Sequence, residues 1–262
     1  MSDENAARGK RKKEYSAPAL EKGLDILEVL SSKNDGLTSK EISAALGKPM
    51  GQLFRMLVVL QQRGYVTYDA QSERYSLTLR IFDIANRLAP VRKLTQAATP
   101  LIRELSDTIQ QSCHVVIYYD GKGHIVVQQD SPSERILVVR LGAEAPLADT
   151  CSGHVLLAYA DDEQRAKMLA AIPGYHRKLS KTAAKKITER VRSAGYESIQ
   201  SAQIQGVRDI GFPIFDHMGR CVAALVVPFL EYLDSSHPVK VKEARGMIQQ
   251  TALLVSERLG HQ

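Results

Sequence analysis

The chain has 262 residues, 44% of them hydrophobic and 24% charged, and carries a formal net charge of +6. This length favours two domains, because chains of this size usually divide into a small and a larger unit. The longest apolar run, residues 222–230, is too short to span a membrane, and three widely spaced cysteines form neither a disulfide framework nor a zinc pattern. We therefore expect a cytoplasmic protein with no membrane segment.

The positive charge is concentrated near the N-terminus. Residues 1–100 contain 16 Lys and Arg against 11 Asp and Glu. This distribution suits a phosphate backbone, although a basic solubilising tail gives the same count. Residues 1–16, with the run Gly9-Lys10-Arg11-Lys12-Lys13, are predicted to form a disordered basic arm, which either touches DNA or only adds solubility.

Three helices are predicted next. The first begins near Pro18, since proline suits the first helical position. The second begins at Thr38-Ser39-Lys40-Glu41, a capping box, and ends at Gly47. The third begins at Pro49, and its apolar residues follow the spacing of a buried stripe: Leu53, Met56, Leu57 and Leu60.

A β-hairpin is predicted after the third helix. Its strands cover residues 65–68 and 74–77, and the polar stretch 69–73 joins them. Three helices followed by a hairpin is the order of a winged helix-turn-helix. We assign residues 17–78 to this DNA-binding domain.

A linker helix is predicted over residues 79–94, with its periodic pattern ending before Pro90 and a further helix running from Pro100 to about residue 110. Its apolar face needs a partner, so we expect at least a dimer. The residues of this face are Leu79, Phe82, Ala85 and Leu88.

Residues 95–262 mix strands with helices and contain no internal repeat, which indicates an α/β sensor or enzyme domain. Strands are predicted over residues 113–119, 124–129, 136–140 and 222–229. Helices are predicted over residues 153–159, 162–171, 182–194 and 239–259.

The third helix carries the residues that would read DNA. Arg55 and Gln52 face outward when the apolar stripe faces inward, and these residue types recognise guanine and adenine edges in the major groove. Lys48 in the preceding turn could hold a phosphate. An ordinary solvated helix face has the same composition. The predicted DNA contacts are Thr38, Ser39, Lys48, Gly51, Gln52, Phe54, Arg55 and Arg74.

A loop over residues 141–150 leads into a helix that begins near Cys151. The backbone N–H groups of residues 151–154, aided by the helix dipole, would attract a carboxylate. An enzyme could use the same segment, with Cys151 as nucleophile and His154 as base, but the sequence identifies no third residue to orient the histidine. A redox-sensing Cys151 is a further alternative.

Metal and cofactor sites have no sequence support. The histidines lack the spacing of a metal motif, and neither GxGxxG nor GxxxxGK occurs. We therefore predict no cofactor and no metal.

The chain resembles the IclR family of bacterial transcription factors over roughly residues 18–260. The motifs that carry the resemblance are Leu20-Glu21-Lys22-Gly23-Leu24-Asp25-Ile26-Leu27, Leu57-Val58-Val59-Leu60, Gly64-Tyr65-Val66, Pro146-Leu147, Ser152-Gly153, Leu156-Leu157-Ala158, Gly206-Val207-Arg208 and Pro213-Ile214-Phe215-Asp216. The resemblance implies an α+β protein with a winged helix, a linker helix, and an effector-binding domain whose curved mixed sheet is flanked by helices. It also implies dimers that pair into tetramers on palindromic DNA.

The resemblance further implies an effector pocket lined by Leu137, Ala145, Cys151, Ser152, Gly153, Ile199, Asp209 and Val226. The aliphatic members are equally explained as ordinary core. Relatives that bind small carboxylates have an acidic residue in the place of Ile199 and a neutral one in the place of Asp209, so a different effector is expected. Gly51 and Gln52 stand where the family has Ser or Thr, so the operator sequence cannot be carried over.

The sequence as a whole favours a transcriptional regulator without enzymatic activity, a repressor or dual regulator of a catabolic operon. Its effector is expected to be a small organic acid with a hydrogen-bond donor for Asp209 and an apolar body against Ile199 and Val226, while Arg208 faces away. The alternatives are an enzyme that uses Cys151 and His154, and a DNA-binding protein that needs no ligand.

Overall fold

The structure, a computed structural model, describes residues 16–33, 35–85, 89–231 and 239–262. It divides into two compact units, residues 1–88 and residues 89–262. The predicted basic arm, apart from Ser16, lies outside the described residues. No helix in the described ranges is long and apolar enough to cross a membrane.

The first unit has the predicted winged-helix order. Its elements are α1 (Pro18–Ser31), β1 (Leu37–Thr38), α2 (Ser39–Leu46), α3 (Met50–Gln62), β2 (Val66–Asp69), β3 (Arg74–Leu77) and α4 (Arg80–Ala85). The three strands form an antiparallel sheet in the order β1-β3-β2. The two-residue strand β1 was not predicted from the sequence, because it is too short to show a period of two.

Local signals explain where these helices begin. The Thr38 hydroxyl accepts from the Glu41 N–H at 3.3 Å, and the Glu41 carboxylate accepts from the Thr38 N–H at 2.7 Å, so the predicted capping box is confirmed. The helices pack through a core of seven buried residues: Ile26, Leu30, Leu37, Ile42, Leu53, Leu57 and Val66. Burial of the apolar stripe of α3 therefore sets which face of that helix is free.

The second unit is a sheet with helices on both faces. Its elements are α5 (Ala89–Ile109), β4 (Cys113–Tyr119), β5 (Lys122–Gln129), β6 (Glu144–Pro146), α6 (Cys151–Tyr159), α7 (Asp162–Ala171), α8 (Lys181–Ala194), β7 (Glu197–Gln200), β8 (Val207–Phe215), β9 (Cys221–Leu230) and α9 (Val241–Arg258). The strand order is β6-β5-β4-β9-β8-β7.

The six-stranded sheet is antiparallel throughout, so the prediction of a mixed sheet is wrong in this respect. The helices α6, α7 and α8 connect β6 at one edge to β7 at the other, and no described helix links two neighbouring parallel strands. Alternate residues of the strands pack on opposite faces. One face packs on α5 and α9, and the other packs on α6 and α8.

The helix α5 corrects one prediction about proline. Pro90 lies in its first turn, where a missing N–H costs little, and Pro100 lies inside the helix. Pro100 therefore does not begin a helix as predicted, whereas α4 ends at Ala85, before Pro90. An interior proline costs about 3 kcal/mol, but α5 buries one apolar stripe on both sides of it: Leu94, Ala97, Ala98, Leu101, Ile102, Leu105 and Ile109.

The predicted strand over residues 136–140 is not formed. Hydrogen bonds to β5 begin only after this segment. The Gly142 N–H donates to the Ile125 carbonyl at 2.8 Å, and the Ile125 N–H donates to the Ala143 carbonyl at 3.1 Å. The partner of β5 at this edge is therefore β6. Residues 136–140 are left without a ladder in the described structure.

Candidate DNA-reading face and ligand cavity

The exposed face of α3 carries the predicted base-reading residues. Leu53 and Leu57 are fully buried against α1 and α2, whereas Gly51, Gln52 and Arg55 are exposed. Phe54 is also exposed, at 55% of its surface, which is unusual for an aromatic side chain. The structure thus brings together four of the predicted DNA contacts on one helix face.

Lys48, predicted to hold a phosphate, and Arg74, predicted to contact DNA, already have partners within the first unit. The Lys48 ammonium contacts the Asp25 carboxylate of α1 at 2.5 Å. Arg74 donates to the Gly36 carbonyl at 2.8 Å and to the Glu41 carboxylate at 3.1 Å. These ion pairs are partly exposed, so they add little stability.

Thr38 and Ser39, also predicted to contact DNA, lie at the start of α2 and are half-buried. The hydroxyl of Thr38 is engaged by its capping box, and the hydrogen bonds from Thr38 hold the pKa of Glu41 below its ordinary value. Thr38 therefore has a structural role at this helix start, whatever it contacts on DNA.

A cavity of about 520 Å³, including its opening to solvent, lies between the sheet and the N-terminus of α6. Six of the eight predicted pocket residues line it: Leu137, Ala145, Cys151, Ser152, Asp209 and Val226. Nine further residues, which the sequence did not identify, complete the lining: His114, Ile125, Val139, Glu144, Thr150, Ser201, Gln203, Ile204 and Pro228.

The floor of the cavity is the strand β9. Val226 pairs with His114 of β4 on one side and with Gly211 of β8 on the other. A side chain at Gly211 would not fit, because a Cβ there would lie 2.7 Å from the Cys151 sulfur. The missing side chain lets the first turn of α6 lie directly over the floor.

The N-terminus of α6 supplies part of the predicted carboxylate-binding site, the backbone N–H groups of residues 151–154. Of the four N–H groups considered, that of His154 donates to the Thr150 carbonyl and that of Gly153 to the Thr150 hydroxyl, both at 3.0 Å. The N–H groups of Cys151 and Ser152 have no acceptor in the described part of the chain. Two backbone N–H groups, rather than the predicted four, are thus free to bind a carboxylate.

Two predicted pocket residues lie outside the lining. A Cβ on Gly153 would lie 2.5 Å from the Leu147 backbone, so this glycine permits close packing behind the helix instead of facing the ligand. Ile199 is the register partner of Asp209 on the edge strand β7 and packs on the adjoining core. The predicted apolar contact of the effector with Ile199 therefore stays a prediction, without support from the cavity lining.

Among the described residues that line the cavity, Asp209 has the carboxyl group whose pKa is raised far above its ordinary value. Burial raises its pKa to about 6, although a hydrogen bond from Ser201 lowers it. Arg208 pairs with Phe229, which belongs to the opposite face of the sheet, so its guanidinium points away as predicted. None of the described lining residues has a cationic side chain that could offset Asp209, since burial also lowers the pKa of His114 to about 4.

Cys151 and His154 do not form a catalytic pair. Burial, together with the charges of Asp209 and Glu197, raises the pKa of the Cys151 thiol well above its ordinary value. Both ring nitrogens of His154 are engaged, Nδ1 by the Glu197 carboxylate at 2.7 Å and Nε2 by the Ala148 carbonyl at 3.1 Å. Glu197 is the residue that orients His154, which sequence analysis did not identify. Its carboxylate pairs with both His154 and Arg190, and this cluster is structural.

Comparison with known proteins identifies both units. Residues 19–70 match the family model described as the IclR helix-turn-helix domain. Residues 87–257 match the model described as the bacterial transcriptional regulator IclR C-terminal domain. The first match includes the exposed face of α3, and the second includes most of the cavity lining.

Relatives and solved structures extend over nearly the whole chain. The HTH-type transcriptional regulator KdgR of Escherichia coli K12 is 27% identical over 252 residues, 94% of each chain. The HTH-type transcriptional repressor AllR of Salmonella typhi is 27% identical over 216 residues, 80% of this chain and 79% of AllR. An IclR homologue from Microbacterium hydrocarbonoxydans, solved with 4-hydroxybenzoate, has the same fold, with a TM-score of 0.76, 18% identity and coverage of 92% and 98%.

Proposed function

Since this chain belongs to the IclR family of bacterial transcriptional regulators, we propose that it controls a catabolic operon in response to a small organic acid. The chain is a DNA-binding regulator under effector control. The proposal concerns which effector acts and what the operon encodes. We propose that the protein acts as a repressor or dual regulator, and the relative AllR bears the name of a repressor.

The observation that carries the acid proposal is the placement of two unlike groups in one cavity. The N–H groups of Cys151 and Ser152, at the positive end of α6, favour a carboxylate. Asp209, which β8 places in the same cavity, favours a hydroxyl or amine that donates to it. An acid with a donor at its other end satisfies both groups, and 4-hydroxybenzoate, bound by the Microbacterium homologue, has this pattern.

A thermal-stabilisation screen tests the acid proposal. Aromatic acids, sugar acids and small keto acids are added to the full chain, because a ligand at 100 times its Kd stabilises the folded state by about 2.7 kcal/mol. A hit among acids, with no response to the corresponding amides, supports the proposal. Stabilisation by the amides to the same extent contradicts a carboxylate seat at α6.

DNA recognition is proposed to depend on the exposed face of α3. Arg55 and Gln52 would contact base edges, Lys48 and Arg74 would exchange their carboxylates for phosphates, and Gly51, Phe54, Thr38 and Ser39 would lie against the groove. The operator is proposed to be palindromic. A mobility-shift assay on the DNA upstream of the gene, with scrambled DNA as competitor, tests sequence-specific binding.

Self-association is proposed to use the linker. Leu79, directly before α4, and Phe82, within α4, are 77% and 63% exposed, and these are large apolar side chains that a second copy of the chain would cover. The side chain of Ala85 and the whole of Leu88, the other members of the predicted face, lie outside the described residues. We propose dimers, pairing into tetramers on DNA.

The remaining proposals follow from the same features. Residues 17–78 would bind DNA, residues 79–94 would link the domains and residues 95–262 would bind effector. The engaged ring of His154 and the raised pKa of Cys151 favour a protein without enzymatic activity. A cytoplasmic location suits a regulator that must reach DNA.

A further inference from the structure

His114 lies in the wall of the cavity opposite Asp209. The residue is only 8% exposed, and its register partner on β9 is the floor residue Val226. Asp209 pairs on the other side of the same strand with Pro228. The two polar residues therefore border the floor of the cavity from β4 and from β8.

The side chain of His114 is unused within the protein. Its ring lines the cavity and makes no hydrogen bond with the described residues, whereas both ring nitrogens of His154 are engaged. Burial lowers the pKa of His114 to about 4, so near neutral pH its ring carries one N–H and one free acceptor nitrogen. A buried polar side chain without a protein partner calls for one that enters the cavity.

The spacing of the strands limits what can reach both residues. One strand, β9, separates β4 from β8, and the partners of the two residues on β9 are two positions apart, so the two backbones lie about 12 Å apart. Two hydroxyl groups about 5 Å apart, each forming a hydrogen bond of about 2.8 Å, span most of this distance, and the side chains of His114 and Asp209 can span the rest. Hydroxyls meta to one another on an aromatic ring have this separation.

We propose that His114 determines effector specificity by hydrogen-bonding a second polar group of the effector, so that the cavity selects dihydroxylated carboxylates over monohydroxylated ones. The carboxylate lies at α6, one hydroxyl donates to Asp209 and the other bonds to His114. This inference rests on the proposed acid-binding function of the cavity. It adds a third anchoring point to the two already described.

The experiment uses three acids of one shape: benzoate, 3-hydroxybenzoate and 3,5-dihydroxybenzoate. Their Kd values are measured by calorimetry on the full chain, on His114→Phe, which keeps a planar ring without a hydrogen bond, and on His114→Gln, which restores one. One hydrogen bond corresponds to roughly a tenfold change in Kd. The parent should bind the dihydroxylated acid about tenfold tighter than the monohydroxylated one, His114→Phe should lose this preference and His114→Gln should regain part of it.

The ring signals of His114 in ¹H–¹⁵N spectra give a second readout that needs no variant. They should shift with 3,5-dihydroxybenzoate and stay in place with 3-hydroxybenzoate. Equal affinities of the parent for these two acids, or an unchanged preference in His114→Phe, would overturn the role of His114 and leave the acid proposal standing. A parent that binds none of the three acids would overturn the aromatic acid assignment and the role of His114 together.

Discussion

The carboxylate of Glu197 lies 2.7 Å from Nδ1 of His154, and this buried contact joins the first turn of α6 to the start of β7. The Cys151 thiol donates to the Glu197 carbonyl at 3.6 Å, so the same two elements meet twice. Burial alone would raise the pKa of Glu197, but hydrogen bonds from His154 and Arg190 hold it below its ordinary value. Both walls of the cavity, the α6 N-terminus and the loop after β7, are therefore positioned by one charged cluster.

Replacing Glu197 should destabilise the second unit. Glu197→Ala leaves His154 without its acceptor in a buried site, and loss of one partner of a buried ion pair costs about 3 kcal/mol. Urea unfolding of parent and variant measures the change in the free energy of unfolding. Glu189→Ala, which removes an exposed pair with Lys185 on α8, is the control and should change it by less than about 0.5 kcal/mol. Equal losses in the two variants would show that the buried cluster has no special weight.

Asp209 should make stability depend on pH. Its native pKa of about 6 lies above the ordinary value of 3.8, so between these values the native state holds a proton that the unfolded chain has lost. The stabilising contribution is complete below about pH 4 and disappears as pH rises through about 6. Asp209→Asn imitates the protonated form at every pH.

The stability of Asp209→Asn relative to the parent should therefore increase between pH 4.5 and pH 7 and then remain constant. Denaturant titrations across this range measure the difference between the two proteins, which cancels the effects of the other carboxylates. A difference that does not change with pH would mean that Asp209 is fully ionised in the native cavity.

The exposed α3 face makes a prediction about DNA. Arg55→Ala should abolish specific operator binding, because a lost base-edge contact costs roughly 1–3 kcal/mol, while the melting temperature stays nearly unchanged at this exposed position. Arg63→Ala, at the C-terminal end of the same helix, removes the same charge away from the predicted face. If both variants lose the same affinity for operator and scrambled DNA, Arg55 contributes charge but no readout.

The exposed linker residues predict the assembly. Sedimentation velocity at micromolar concentration should find a dimer or a larger species. Phe82→Asp places a charge on the apolar surface and should raise the dissociation constant at least tenfold. A parent that sediments as a monomer would leave a palindromic operator without a matching two-fold axis.

Much of the fold could be predicted because its signals are local. The capping box at Thr38, the helix start at Pro18 and the helix Asp162–Ala171 depend on neighbouring residues, and the structure has them where predicted. The helix start predicted at Pro100 is wrong, because burial of the α5 stripe on both sides of this proline outweighs the local penalty. The strand over residues 136–140 failed because pairing with β5 goes to β6, a choice that no local pattern records.

The cavity was predicted only where the family resemblance or a helix start pointed to it. Cys151, Ser152 and Asp209 were found in this way, while His114 and Ser201 were missed. Period-two alternation places His114 on the same face of β4 as Val116, but it does not tell which face meets α6. Strand register is set by pairing between distant segments, so the full set of residues that line the cavity could be identified only from the structure.

The most direct test measures whether effector binding changes the affinity for operator DNA. Fluorescence anisotropy with the upstream operator is titrated in the presence and absence of the best acid from the screen, for the parent and for Asp209→Ala. We expect the acid to change the operator affinity of the parent by at least about fivefold and that of Asp209→Ala much less, and we expect both proteins to bind operator equally without ligand. An acid that binds the cavity and leaves operator affinity unchanged, or an Asp209→Ala protein that responds as the parent does, would contradict control through this cavity.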